Sequence, residues 1–227
     1  MERASAVAVI AMLIIPGFVA AQSGSGPSVP LPAEIPLFPL SDVTLFPNST
    51  QPFHIFEARY RAMIADALEG DSIIGMVLLQ PGFEAEYEGR PPVHAIGCAG
   101  VIVVSEQLPD GRYNIVLRGI TKFRILSEDQ GRPYRLAAVE AVPESIEASD
   151  RPALAERRRQ LEASVLSAFP GAQLPPPDLT DEELVDGLSL VIPMDPAVRQ
   201  QLLEADGPLQ RASNLAGLLR RGPRSSL

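Results

Sequence analysis

The sequence predicts an α+β fold: a β-rich half of about six strands with one helix, followed by an α-helical half. Three observations predict it. Within residues 35–61, IPLFPLSDVTLFPNSTQPFHIFEARYR, the apolar period changes from two to 3.6, so a strand-rich opening hands over to a helix. Between residues 72 and 142 short apolar runs alternate with turn signals, a pattern that suits a small open barrel or paired sheets. Beyond Pro143 the apolar spacing is helical throughout.

The elements follow in order. Two short apolar runs open the chain, each ended by a proline, and Pro36, Pro39 and Pro47 cannot donate to a ladder. Their strands should therefore be short, or lie on edges. From Glu57 on, Tyr60, Met63, Ile64, Ala67 and Leu68 share one helical face, and Gly70 stands in the place of a left-handed stop. Residues 72–80 are a nearly continuous apolar run, as in a strand covered on both faces. Residues 81–92 read as loop. Residues 93–108 read as a long strand, bent at Gly97 and Gly100, where a missing side chain permits a bulge or close backbone approach. Pro109-Asp110-Gly111 signals a hairpin turn. After it Tyr113, Ile115 and Leu117 alternate with polar residues, apart from the apolar Val116, and residues 134–142 form the last strand.

In the helical half, Leu154, Leu161, Val165 and Leu166 define one helix, and residues 174–177, LPPP, form a stiff spacer. Thr180 and Glu183 make a capping box ahead of Leu184, Val185, Leu188 and Val191. Asp195-Pro196 is an N-cap with proline at the first helical position, and Gly207-Pro208 separates a last helix carrying Leu209, Ala212, Leu215, Ala216 and Leu219.

Composition limits the partners. The chain has 19 basic against 28 acidic residues, net −9, which argues against nucleic acid or an anionic membrane surface as the main partner. The basic run at residues 157–159 reads as a solvated helix face. Residues 1–21 read as a secretory signal, with an apolar run over 4–15 and small residues Val19, Ala20 and Ala21 at the cleavage position. Residues 22–33 follow as a flexible Gly/Ser/Pro linker. The expected location is periplasmic or secreted after cleavage near Ala21, with no spanning helix in the mature chain. A start at Met12 would instead leave the protein in the cytoplasm. Cys98, the sole cysteine, allows no internal disulfide and reads as a small core residue.

The proline-punctuated LFPL, LFP and PFHIFEARYR (residues 52–61), together with PPVHAIGCAGVIVVSEQLPDGRYNIVLRGITKFRIL (residues 91–126), resemble the N-terminal, substrate-binding domain of Lon proteases. Residues 183–204, ELVDGLSLVIPMDPAVRQQLLE, resemble the helical subdomain that follows it. The resemblance runs from about Glu34 to Leu219. It implies a β-rich pseudo-barrel over residues 34–143 and an α-helical subdomain over 152–221. This sequence departs from the usual pattern at Asn48, where glycine is common, at Phe53 and at Ala58. The loop geometry at Asn48 is the point the departures put in question.

Catalytic chemistry finds no purchase. Lon is an ATP-driven protease with a serine–lysine pair, but no G-x-x-x-x-G-K-[ST] loop occurs here. The sole lysine, Lys122, lies in a predicted strand with no serine placed to make it a general base. His54, His94 and Cys98 cannot build a zinc site alone, although carboxylates could complete one, and no cofactor is implied. A hydrolase would have to use His54 or Lys122. His54, Phe56, Glu57, Arg59 and Tyr60 read as a structural signature: His54 satisfied by hydrogen bonds where barrel meets helix, Glu57 and Arg59 anchoring the helix. Phe83 and Tyr87, aromatic residues in an acidic, proline-flanked loop, are the candidate polypeptide contacts. The implied function is non-catalytic recognition of unfolded or exposed apolar polypeptide segments, without an ATPase or protease of its own. The alternatives are an adaptor for a separate protease and a small-ligand binder of the cell envelope.

Overall fold

Alternation, turns and caps give eleven elements in the computed structural model, which describes residues 30–83, 89–129 and 131–221. They are β1 (Glu34–Leu40), β2 (Thr50–Ile55), α1 (Ala58–Glu69), β3 (Ile73–Leu78), β4 (Ile96–Gln107), β5 (Tyr113–Asp129), β6 (Arg135–Val142), α2 (Arg151–Ala168), α3 (Asp181–Val191), α4 (Pro196–Leu203) and α5 (Gly207–Arg221). The signal reading and most of the linker lie outside the described residues. The described residues from Leu31 on belong to one compact unit.

The sheet order is β2-β5-β4-β3-β1-β6, and β6 pairs back onto β5. Five strands thus close into a ring, and β2 is attached to β5 outside it. The 17-residue β5 makes this possible by pairing with β2 over its first part and with β6 over its last. Ile35, Leu37, Ile73, Val77, Ala99, Phe123, Ala137 and Val139, drawn from all five ring strands, form the cluster inside. Phe123 fits there because Gly75 and Gly97 lack side chains: a Cβ on either would stand 2.7 Å from its ring. As the sequence suggests, β4 is irregular, with register shifts at Ala99/Gly100 and Ile102/Val104.

A second, larger cluster joins the outside of the sheet to every helix. It contains Phe38, Tyr60, Met63 and Ile64 as well as Leu154, Leu184, Leu188 and Leu215. The capping box at Thr180 and the Asp195 cap, whose side chain accepts from Ala197 N–H at 2.9 Å, both form.

Several expectations are corrected. Pro36 and Pro39 do not lie on an edge strand: β1 is flanked by β6 and β3. It is short, however, and each proline sits where only one neighbour is in register, Pro36 opposite Leu136 and Pro39 opposite Val77. The second apolar run is not a strand. Leu45 and Phe46 are buried in irregular backbone, held by the Ser49 hydroxyl, which donates to Phe46 O at 2.6 Å and accepts from Phe46 N–H at 3.1 Å. Gly70 is not left-handed; its φ is −111°. The positive φ falls at Ser72, 57°, whose N–H reaches back to Ala67 O at 2.9 Å, so the reversal is completed two residues later. Leu166 and Val191 leave the helix core and are 48% and 63% exposed. Arg158 is not merely solvated: it bonds Leu179 O and pairs with Asp181, tying α2 to the start of α3.

The loop in question at Asn48 is left-handed, φ 58°, a conformation asparagine tolerates better than most residues. Asn48 N–H donates to Gly119 O, and Gly119 N–H donates to Ser49 O. A Cβ at Gly119 would lie 2.0 Å from Phe46 O. Gly119→Ala is therefore expected to destabilise by about 1–3 kcal/mol, at the upper end because the obstacle is backbone. Gly187→Ala on α3, where a Cβ meets nothing within 4 Å, should be neutral or stabilising. Urea-denaturation midpoints of the two variants test the contrast.

Candidate functional site

Strand alternation sends every second residue of β2 and β5 away from the core. On β2, Thr50, Pro52 and His54 are exposed while Ile55 is buried. On β5, Tyr113, Ile115 and Leu117 are buried, so Asn114 and Val116 face outward. The register then aligns Pro52, Val116 and Val104 in one row and His54, Asn114 and Glu106 in the next. Val104 is 55% exposed, and Phe56, just past β2, is 63% exposed.

The polar row is self-satisfied. His54 Nδ1 lies 2.8 Å from Asn114 Oδ1, Arg112 donates to His54 Nε2 at 3.1 Å, and Asn114 donates to Glu106 at 3.0 Å. These partners assign His54 the tautomer with its proton on Nδ1. The Phe56 ring stacks on His54, centroids 6.4 Å apart. Both imidazole nitrogens are thereby occupied, and the face offers apolar groups on paired strands rather than a free base.

The other sequence candidates fall on either side of this face. Glu57 begins α1 and pairs with Arg59 at 2.9 Å; the Arg59 guanidinium lies 4.6 Å from the centre of the Tyr60 ring. Tyr60 is buried, its ring edge-on to Phe38 at 4.7 Å. Phe83 is half-buried after β3, outside the register of the exposed face, and Tyr87 lies outside the described residues. Sequence reasoning missed Pro52, Val104 and Val116 as surface residues. The available signal was Val116, an apolar residue in the polar phase of its strand.

Lys122 stands opposite Cys98 in the β4–β5 register, and its amine is engaged elsewhere. It is buried, pairs with Glu144 at 2.8 Å and donates to Ala205 O at 2.8 Å. Glu144 also accepts from Arg211 at 2.6 Å, and Arg211, fully buried, pairs with Asp186 and donates to Leu202 O. Asn48 Nδ2 completes the set, donating to Asp186 at 3.0 Å. Burial pushes the Asp186 carboxyl up to about 6, against the pull of Arg211, and pushes the Cys98 thiol well up. A cavity of about 150 Å³ beside this network is lined by Asn48, Lys122, Glu144 and Asp186, groups that already bond one another. Among the described residues no group of three or more His, Cys, Asp or Glu side chains could hold a metal, and no helix is long and apolar enough to cross a membrane.

The closed barrel is backed by helices that pack on its outer side. Residues 34–221 match the family model of the ATP-dependent protease La (LON) substrate-binding domain. The chain belongs to this family. It is 25% identical over 181 residues to the Lon protease of Anaeromyxobacter dehalogenans, covering 77% of this chain and 21% of that protein. It thus spans about a fifth of that relative. Two solved structures share the fold. The Lon N-terminal domain protein from Xanthomonas campestris has TM-score 0.57 and 24% identity, covering 84% of this chain and 99% of that one. The N-terminal domain of Mycobacterium avium complex Lon protease has TM-score 0.59 and 20% identity, covering 86% and 100%.

The raised Asp186 pKa sets a pH dependence with a definite sign. The folded value, about 6, lies above the value of an unfolded aspartate, about 3.9, so the folded state holds this proton more tightly. The contribution is complete below about pH 4 and is lost as pH rises through about 6. Asp186→Asn, which cannot ionise, should lack that decline, so the difference between the two proteins should carry it. Urea midpoints at intervals from pH 4 to 7 measure it.

Proposed function

We propose that this domain recognises exposed apolar segments of unfolded polypeptides on the outer β2–β5–β4 face, without catalysing a reaction on them. The observation that carries the reading is the exposure of Val104 on β4 and of Phe56 just past β2 in a domain of the substrate-binding family. Side chains held by a sheet lose little freedom on contact, and burying a phenylalanine or valine contributes about 1.5–3 kcal/mol. That the related chains are proteases favours a second reading, delivery of the bound segment to a separate protease. The apolar run over residues 4–15 and the small residues at 19–21 support a place outside the cytoplasm, so such a protease would belong to the envelope.

The recognition reading predicts that Phe56→Ser combined with Val104→Ser weakens binding of reduced, carboxymethylated α-lactalbumin by tenfold or more. The melting temperature should hardly move, since both residues are exposed. Leu166→Ser, exposed on α2, is the control and should leave affinity unchanged. Equal affinity in all three proteins, or equal loss in the control, contradicts the reading. For location, mass spectrometry of the N-terminus from fractionated cells should find a chain beginning near Gln22 outside the cytoplasm. A cytoplasmic chain retaining Met1, or starting at Met12, refutes export.

A further inference from the structure

A groove of about 340 Å³ runs from the start of β2 to the α3–α4 turn and meets the proposed contact face at Pro52. Among the described residues β2 has a ladder partner on one side only, β5. The groove's lining combines apolar groups, Val43, Pro52 and Val191, with three polar side chains that share a deficiency. Thr44 Oγ1, Gln51 Oε1 and Arg199 Nε are shielded from solvent and have no hydrogen-bond partner. Thr44 is 4% exposed. Each such group ordinarily costs about 1–3 kcal/mol, and three around one groove is a concentration that a ligand would relieve.

The chemistry of the three selects the ligand. Arg199 is half-buried, and burial pulls its pKa down. Its two other contacts are long, 3.4 Å to Asp42 O and 3.3 Å to Ile192 O, and both are main-chain carbonyls. A hydroxyl and a guanidinium N–H suit a carbonyl oxygen, and an amide oxygen suits an N–H. An anion would satisfy the donors but would face Gln51 Oε1 and the Asp42 carboxylate, which also lines the groove. A peptide main chain offers both partners and no net charge.

We propose that this groove binds an extended polypeptide main chain, with Arg199 and Thr44 donating to its carbonyls and Gln51 accepting from its N–H, and with an apolar side chain against Val43 and Val191. This rests on the recognition reading and adds to it a site that reads backbone rather than side chains. All three residues line the groove, and their shielded polar atoms reach the ligand by rotation about side-chain single bonds. A free edge at β2 favours the extended conformation.

The test uses the full chain and a fluorescein-labelled hexapeptide of alternating valine and threonine, amidated at its carboxyl end, read by fluorescence anisotropy. Thr44→Val and Arg199→Met should each weaken binding about tenfold, and N-methylation of alternate peptide amides should do the same. Thr44→Val removes an unsatisfied hydroxyl, so it should fold with an unchanged or higher melting temperature. Unchanged affinity in both variants, with carboxymethylated α-lactalbumin still bound through Phe56 and Val104, overturns the groove and leaves the recognition reading standing. No binding of either probe overturns both. If the free-acid hexapeptide binds tenfold tighter than the amide, the groove captures a carboxylate terminus and the main-chain assignment is wrong.

Discussion

The ion network centred on Arg211 is the constraint on which the rest of the molecule depends. A fully buried guanidinium on α5 holds Asp186 of α3 and Glu144 just beyond β6, and Glu144 holds Lys122 of β5. Asn48 ties Asp186 to the turn that docks on Gly119. Five chain segments meet through charges that cannot be left unpaired: removing one partner of a buried pair typically costs about 3–5 kcal/mol. An apolar substitute for the whole set could be equally stable. What the network supplies is a set of ties from α3 and α5 to β5, to the segment after β6 and to the Asn48 turn.

Those ties have a functional consequence. Lys122, one of the two residues a hydrolase would use, is committed with Glu144 to the junction. The outer β2–β5–β4 face carries little of this burden. Its polar row bonds within itself, and its apolar residues, Pro52, Val104, Val116 and Phe56, lie outside both core clusters. Exposed apolar groups on a stiff sheet are suited to transient contact with many sequences, since contact area carries no requirement for a particular side chain.

Much of the fold was legible in the sequence because its cues are local. The Thr180/Glu183 box, the Asp195-Pro196 cap and the Pro109-Asp110-Gly111 turn each report backbone conformation within a few residues, and each structure forms. The misses have both local and non-local causes. Val43 to Phe46 has strand-like composition, but Phe46 N–H and C=O bond the Ser49 hydroxyl three residues on, and the turn that follows docks onto Gly119. Val191 keeps helical spacing yet faces solvent, because α3 ends there and the chain turns towards α4. The site was less legible. His54 and Phe56 stood out by motif, whereas Val104 gains meaning only from a register that places it beside Val116 and Pro52. Sequence separation hid that row.

The most direct test of recognition by this face is an NMR titration of the isotopically labelled chain with an unfolded polypeptide such as carboxymethylated α-lactalbumin. Recognition as proposed requires shifts or broadening centred on the amide and side-chain signals of Phe56, Val104, Val116 and their neighbours on β2 and β5. Perturbations confined to the exposed sides of α2 and α5, or none at concentrations where binding is complete, would contradict it.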